Sequence, residues 1–319
     1  MTWFQTALIA TLCWGTADLF YKCGADEEDP VSHLRTGAAV GFLFGLHALF
    51  TLLTADIGFD PRNLLRYLPV SSMYILSMLT GYFGLRYLQL SVSSPIQNCS
   101  GALAAILGML FLGETPGSAA AWIGILLCCT GVFFLGWFES REEKAQNSTL
   151  PHTPKKRLGA LAVCIPLLYC LIDTLGTFLD DPCLDIQTTW LVQVTEETLE
   201  DVGNTAYELT FFLVGLLMAL YILVDAKRRG VSPFAPPKPT AARLAAACCE
   251  TAGQLAYVHV IGGSAVVAAP MIGSYCMVSV LLSRVFLRER LRAGKAVSVA
   301  ITLIGILFLG IADGLTGEW

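Results

Sequence analysis

The hydrophobic residues of this chain fall into ten long blocks separated by short polar stretches. Most blocks are close to 20 residues long, the length of helix that crosses roughly 30 Å of hydrocarbon. The pattern therefore predicts an all-α integral membrane protein with ten transmembrane helices. The predicted spans are 3–22, 32–54, 64–90, 93–112, 117–138, 158–179, 205–224, 241–260, 265–287 and 294–312. The connections at 90–93 and 260–265 are the shortest.

A short passage occurs in both halves of the chain with the same internal spacing. In each copy a proline precedes an acidic residue by 19 residues, and a tyrosine precedes that proline by 13 residues. These residues are Tyr82, Pro95 and Glu114 in the first copy and Tyr257, Pro270 and Glu289 in the second. Because each half holds five spans, the second half enters the membrane with opposite polarity. The sequence thus predicts two inverted five-helix repeats, an arrangement found in many secondary transporters.

The polar stretches divide the chain into its parts. We assign residues 1–138 to the first repeat and residues 158–319 to the second. The stretch 139–157 between them carries charges and two prolines without any periodicity, so we expect an exposed basic linker. The second repeat also contains an acidic segment at 180–204, which is longer than a tight hairpin requires.

Positive charges predict the orientation in the membrane. Lys and Arg cluster in 139–157, in 227–243 and in 288–295, and with ten spans these regions share one side. By the positive-inside rule this side is cytoplasmic, which places both termini outside a cell membrane. The segment 180–204 then lies outside, and it has seven acidic residues and no Lys or Arg. Its residues 187–202 can form an amphipathic surface helix, a solvated loop or an external lid.

Composition supports the membrane assignment and narrows the function. Hydrophobic residues make up 55% of the 319 residues, charged residues 14%, and the mean hydropathy is +0.63, so a soluble domain is excluded. The eleven cysteines contain no C-x-x-C pair, and we expect them to serve as small packing residues. We find no zinc-protease, nucleophile-elbow or P-loop motif. We therefore expect no enzyme activity, no metal, no cofactor and no nucleic-acid partner.

The second span contains glycines at every fourth position, Gly37, Gly41 and Gly45. A stripe of small residues lets two helices approach closely, either within one bundle or between two subunits. We favour packing within the bundle, and the stripe leaves the choice between monomer and homodimer open.

The repeated passage also carries a family resemblance. In each half an apolar helix ends in an acid, within LFLGET at 110–115 and VFLRER at 285–290, and the next helix closes in GVFFLG or GILFLG. This pattern resembles the EamA-type branch of the drug/metabolite transporter superfamily. The resemblance implies a carrier of small metabolites that works by alternating access between its two halves. Thr115 stands where this family commonly has Arg or Lys, so no subfamily or substrate is implied.

Two carboxylates occupy equivalent places in the first helix of each half. Trp14 and Asp18 are four residues apart, as are Tyr169 and Asp173, so each pair shares one helical face. An aromatic face beside a carboxylate is suited to an organic cation or amine. A carboxylate in an apolar cavity can also take up and release a proton, which would serve proton coupling. The alternative is that each acid lies near a helix end and touches water.

The eighth span carries a third acid near its middle. Glu250, Gln254 and Tyr257 form one polar stripe on an otherwise apolar helix. An uncompensated charge is most costly at the bilayer midplane, so Glu250 must face a cavity, a ligand or a polar partner. Ile75 occupies the corresponding place in the first half, so this acid belongs to the second half alone.

These residues and their neighbours define the predicted site. We expect the substrate to contact Asp18, Trp14, Tyr169, Asp173, Glu250, Gln254, Tyr257, Tyr82, Gln97, Asn98, Ser274 and Tyr275. We assign proton coupling to the three acids Glu250, Asp173 and Asp18, and hinge motion to Pro95 and Pro270. Ordinary helix kinks would also explain the two prolines.

The sequence therefore predicts a secondary transporter of a small cationic or zwitterionic metabolite such as an amine or amino acid. Its partners are this substrate, the lipid bilayer and, if it is coupled, a proton. A multidrug exporter or a lipid flippase of the same fold is the alternative, and a non-transporting membrane subunit is a more distant one.

Overall fold

A computed structural model describes residues 2–26, 28–85, 93, 96–147, 159–234, 236–286 and 292–316. Within these ranges the chain is helical and contains no β-strand. The helices are α1 (Trp3–Gly24), α2 (Ser32–Thr54), α3 (Arg62–Arg66), α4 (Leu68–Gly84), α5 (Cys99–Leu107), α6 (Ala119–Asn147), α7 (Gly159–Cys183), α8 (Leu199–Arg229), α9 (Pro237–Ile272), α10 (Tyr275–Phe286) and α11 (Ala293–Thr316). A π-helical turn, Gly108–Leu112, extends α5.

The described helices include several that can cross a membrane. Six stretches are long and apolar enough by length and composition: Ser32–Thr54, Ala119–Phe138, Leu199–Arg229, Pro237–Ile261, Val266–Phe286 and Ala293–Ala312. Large apolar side chains remain exposed along them, as Leu53, Phe50 and Leu217 illustrate at 76%, 62% and 67% exposure. Lipid-facing surface explains such exposure in helices of this length. The protein is thus a multi-pass membrane protein.

Helix α1 contacts residues 243–279, which first run antiparallel to α1 and then run parallel to it. Three contacts run antiparallel to α1: Gly24 with Arg243, Tyr21 with Glu250, and Trp14 with Gly253. Three later contacts run parallel to α1: Thr11 with Met271, Gly15 with Tyr275, and Asp18 with Ser279. The chain therefore reverses direction between Gly253 and Met271.

This reversal agrees with the predicted boundary between the spans 241–260 and 265–287, and the candidate spans in the structure are Pro237–Ile261 and Val266–Phe286. The backbone stays helical from Pro237 to Ile272, so the connection is made without a loop. The opposed contacts with α1 nevertheless agree with two adjacent antiparallel spans in this region.

Helix α7 makes the corresponding contacts in the other half. Three contacts run antiparallel to α4: Gly84 with Ile165, Gly81 with Tyr169, and Gly176 with Tyr74. Two others follow α5 and its π-helical turn in parallel: Asp173 with Ser100, and Phe178 with Phe111. Helices α1 and α7 thus hold equivalent positions, each between an antiparallel and a parallel neighbour.

The glycine stripe of α2 faces α8 inside the bundle. A Cβ on Gly41 would lie 2.7 Å from the carbonyl oxygen of Phe211, and Gly37 and Gly45 lie against Met218 and Phe212. The two backbones can approach this closely because neither carries a side chain at the crossing. The expectation that the stripe serves internal packing is therefore confirmed.

The first part of the predicted linker is helical. Helix α6 continues to Asn147, so residues 139–147 extend the fifth span as a helix. Residues 148–158 lie outside the described residues, and the exposed linker over 139–157 stays a prediction. Arg141 stacks over the ring of Trp137 at 5.6 Å, one turn earlier on the same helix face.

The acidic segment is a folded loop. No helix occurs between Cys183 and Leu199, so the amphipathic surface helix considered for 187–202 is wrong. The loop is held on α3 by hydrogen bonds: the Asn63 side chain bonds the backbone N–H and C=O of Val192 at 2.9 Å each, and Trp190 Nε1 donates to the carbonyl oxygen of Arg66 at 2.7 Å. This loop marks what we call the acidic end of the bundle, and Arg243 marks the opposite, basic end.

Candidate functional site

A cavity lies where α1, α4, α5, α7, α8, α9 and α10 meet. Its cavity volume is about 100 Å³. Since a single water needs roughly 10–15 Å³ on this measure, several waters or a small metabolite fit. Helices of both halves form the wall, so relative motion of the halves would change access to the cavity.

Aromatic side chains form much of the cavity wall. They are Trp14, Tyr21, Tyr74, Tyr82, Tyr169, Tyr207, Tyr257 and Tyr275. The ring of Trp14 lies 5.2 Å from that of Tyr257 and 6.0 Å from that of Tyr275. Such a wall offers π-faces that attract cations and hydroxyl groups that form hydrogen bonds.

Three carboxylates line the same cavity. Asp18 accepts a hydrogen bond from Ser279 at 2.8 Å, and Glu250 accepts one from Tyr21 at 2.9 Å. Asp173 accepts from Ser100 at 2.8 Å and from Ser77 at 3.1 Å. The described residues that line the cavity include no Lys, Arg or His, so its electrostatic character is acidic.

Tyrosine pairs connect the cavity to carboxylates at both of its ends. Toward the basic end, Tyr82 donates to Tyr21 at 3.0 Å, and Tyr21 donates to Glu250. Toward the acidic end, the hydroxyls of Tyr257 and Tyr74 are 2.5 Å apart, and Tyr74 donates to Asp180 at 3.1 Å. The equivalent residues Tyr82 and Tyr257 thus each begin a path that ends at a carboxylate.

The cavity brings together most of the residues predicted from the sequence. Those that line it are Trp14, Asp18, Tyr82, Gln97, Asn98, Tyr169, Asp173, Glu250, Gln254, Tyr257 and Tyr275. Ser274 is the exception, because it is fully buried and its hydroxyl donates to the carbonyl oxygen of Met271. It lies at the end of α9 and is not among the residues that line the cavity, and its contact with substrate stays a prediction.

Other cavity residues were missed by the sequence reasoning. Tyr21 lies three residues after Asp18 on the same helix face, so the 3.6-residue period could have found it. Ser100 and Thr177 are small polar residues of a kind common in membrane helices, and Tyr74 and Tyr207 lie in apolar blocks. These four gave no signal that separates them from packing residues.

Of the two predicted hinges, Pro270 lies within the described residues. Pro270 is buried within α9, and its backbone nitrogen approaches Gly101 of α5. Pro95 lies outside the described residues. Hinge motion at both prolines stays a prediction, as does the coupling role of Asp18, Asp173 and Glu250.

Comparison with known proteins supports a transporter family. Residues 1–137 match the EamA-like transporter family. A crystal structure with 13% sequence identity superposes with a TM-score of 0.65, over 97% of this chain and 96% of the other. At this identity the likeness concerns the fold alone. No curated protein matches the sequence.

Proposed function

We propose that this chain is a secondary-active transporter with ten transmembrane helices in two inverted five-helix repeats. The match of residues 1–137 to the EamA-like transporter family supports this proposal. The packing of the first helix of each half supports the repeat. Helix α1 packs on α9 and α10 of the second half, and α7 packs on α4 and α5 of the first half. The positive-inside rule supports a cell-membrane location with both termini outside.

The substrate we propose is a small cationic or zwitterionic metabolite. The observation that carries this is the cavity wall, in which three carboxylates and eight aromatic rings face a common space with no described basic side chain. Ammonium groups suit this wall because carboxylates supply charge and aromatic faces supply cation–π attraction. An anionic or strongly apolar substrate would leave the buried acids uncompensated.

Transport would follow from alternating access of this cavity. The two halves rock about the substrate, with Pro95 and Pro270 as the proposed hinges. Glu250, Asp173 and Asp18 exchange protons with the cavity, so that a proton and the substrate cation compete for the same carboxylates. That competition is the simplest physical basis for proton coupling, because the two cations occupy the site at different stages of the cycle.

Uptake into proteoliposomes tests this proposal. The purified chain is assayed with labelled choline, putrescine, leucine and glucose, with and without a pH gradient. We expect choline or putrescine to be carried, and Glu250→Gln and Asp173→Asn to lower that uptake about tenfold or more, since losing a buried charged hydrogen-bond partner costs roughly 1.5–3 kcal/mol.

Asp225→Asn is the matched control. This acid pairs with Arg229 near the C-terminal end of α8 and does not line the cavity. Uptake of glucose alone, or full uptake by both cavity variants with an unchanged pH profile, would contradict the proposed site.

A further inference from the structure

Asp180 is a buried carboxylate that lies just behind the cavity wall. It is near the C-terminal end of α7, has no exposed surface, and does not itself line the cavity. It accepts hydrogen bonds from two tyrosines, Tyr67 on the Oδ1 side and Tyr74 on the Oδ2 side, the latter at 3.1 Å. In the sequence it begins the acidic segment 180–204, and the proposed substrate site does not include it.

A continuous path of hydroxyl groups joins Asp180 to the cavity. Tyr74 and Tyr257 both line the cavity, and their hydroxyl oxygens are 2.5 Å apart. Tyr74 also approaches Thr177 Oγ1 at 3.4 Å. Because Tyr74 donates to Asp180, its oxygen is free to accept from Tyr257, and the path then has one direction from the cavity to the carboxylate.

The surroundings of Asp180 contain acids and neutral donors. Among the described residues, the titratable groups that face it are Tyr67 and Tyr74 from the region of α4, Tyr207 from α8, Tyr257 from α9, and Cys183 and Asp181 from the end of its own helix. Glu114, at the end of the fourth span, lies against Asp181, and Asp185 follows in the loop. None of these groups is a Lys, Arg or His that could neutralise the carboxylate.

A buried carboxylate without a cationic partner is stable when it carries a proton or when hydroxyl groups donate to it. Asp180 has both requirements for proton exchange: two hydroxyl donors that stabilise its ionised form and a path that can deliver a proton. A group that only stabilised the fold would need no connection to the substrate cavity.

We propose that Asp180 accepts and releases a proton at the acidic end of the cavity, through Tyr74 and Tyr257. A proton from the cavity binds the Tyr257 hydroxyl, the proton of Tyr257 passes to Tyr74, and that of Tyr74 passes to Asp180 Oδ2. Both tyrosines end neutral, and the charge of Asp180 changes from −1 to 0. Release runs in reverse. This inference rests on the proposed function, since coupling has meaning only in a carrier.

Infrared spectroscopy of the full chain in liposomes tests proton exchange without any substrate. The pH is stepped, and the C=O stretch of protonated carboxyl groups is recorded. We expect Asp180→Asn to remove one such band. We expect Tyr74→Phe to keep that band but shift its frequency and slow its exchange with D2O, because the path is interrupted while the carboxyl group remains. Asp185→Asn, an acid in the adjacent loop, is the control and should keep the band.

A transport arm then tests coupling with labelled choline and putrescine. We expect the Asp180→Asn variant to lose the stimulation of uptake by a pH gradient and to retain exchange of labelled for unlabelled probe. Tyr74→Phe should lose the same stimulation. A merely structural role would lower gradient-driven uptake and exchange together.

The two arms separate the inference from the function on which it rests. Wild-type bands and wild-type gradient stimulation in Asp180→Asn would overturn the inference. A wild-type protein that carries neither probe would contradict the proposed cation transport, and the infrared arm would still decide whether Asp180 exchanges protons. Tyr74→Phe retains the carboxylate, so it decides the same question if Asp180→Asn fails to fold.

Discussion

At the scale of single residues, the cavity chemistry depends on acids that cost free energy to bury. Asp173 and Glu250 are both bonded by neutral hydroxyls rather than by basic side chains. Hydroxyl donors stabilise an anion less than a salt bridge does, so these acids remain able to bind a cation or a proton. The arrangement is what a reversible binding site requires.

A glycine beside the cavity fixes the position of Trp14. A Cβ on Gly253 would lie 2.4 Å from Cδ1 of this ring, so Gly253→Ala must displace the indole. Overpacking of this kind costs about 1–3 kcal/mol, and we expect about a tenfold rise in KM for the carried cation. The measurement is uptake kinetics together with the tryptophan emission spectrum.

Gly314→Ala is the control for this substitution, since no atom lies within 4 Å of the added Cβ. An unchanged KM and emission spectrum in Gly253→Ala would show that Trp14 does not shape the site.

The acids of the site were predictable from the sequence, and most of their partners were not. A carboxylate within an apolar block, such as Glu250, is conspicuous because burial makes it expensive. The tyrosines at 21 and 74 are less conspicuous, since tyrosine also packs well in apolar surroundings. Ser274 was predicted to contact substrate, but it does not line the cavity and its hydroxyl donates to the carbonyl oxygen of Met271.

At the scale of elements, close helix packing depends on α2 and α8. Their crossing is centred on Gly41 and Gly215, whose Cα atoms leave no room for a side chain. One turn or so away, His47 Nδ1 lies 2.8 Å from the buried carboxylate of Glu208 and joins the same two helices. The stripe and the polar pair together specify which faces meet.

Gly41→Ala should therefore weaken the fold. The added Cβ would meet the carbonyl oxygen of Phe211 at 2.7 Å, and backbone cannot rotate away as a side chain can. We expect a loss of about 1–3 kcal/mol, seen as a lower Tm of the purified protein in detergent. A Tm equal to that of wild type would mean that the two helices are not held at this distance.

The acidic segment shows why local pattern alone was insufficient. Residues 187–202 have a spacing that suits an amphipathic helix, but tertiary hydrogen bonds to Asn63 and Arg66 hold the loop before α8 in a non-helical conformation. Gln193 adopts a positive φ of 56°, which a helix would not permit. These contacts lie more than 120 residues away in sequence, so no local signal could indicate them.

At the scale of the whole molecule, the repeat that we propose would carry an unequal site. The block pattern correctly predicted a multi-pass helical membrane protein, and α2 has the predicted bounds of 32–54. The equivalent tyrosines Tyr82 and Tyr257 both reach a carboxylate, but Glu250 lies in the cavity wall and Asp180 lies behind it. In the proposed carrier, proton binding would therefore differ between the two ends of the cavity.

Counterflow in proteoliposomes tests the central claim most directly, because only a carrier with alternating access exchanges substrate across the membrane. Vesicles that contain the wild-type protein are loaded with unlabelled choline or putrescine and diluted into a trace of the labelled compound. We predict a transient accumulation of label above its equilibrium level, absent from protein-free vesicles and strongly reduced in Glu250→Gln. Label that only equilibrates, or that enters equally with and without the protein, would contradict the account.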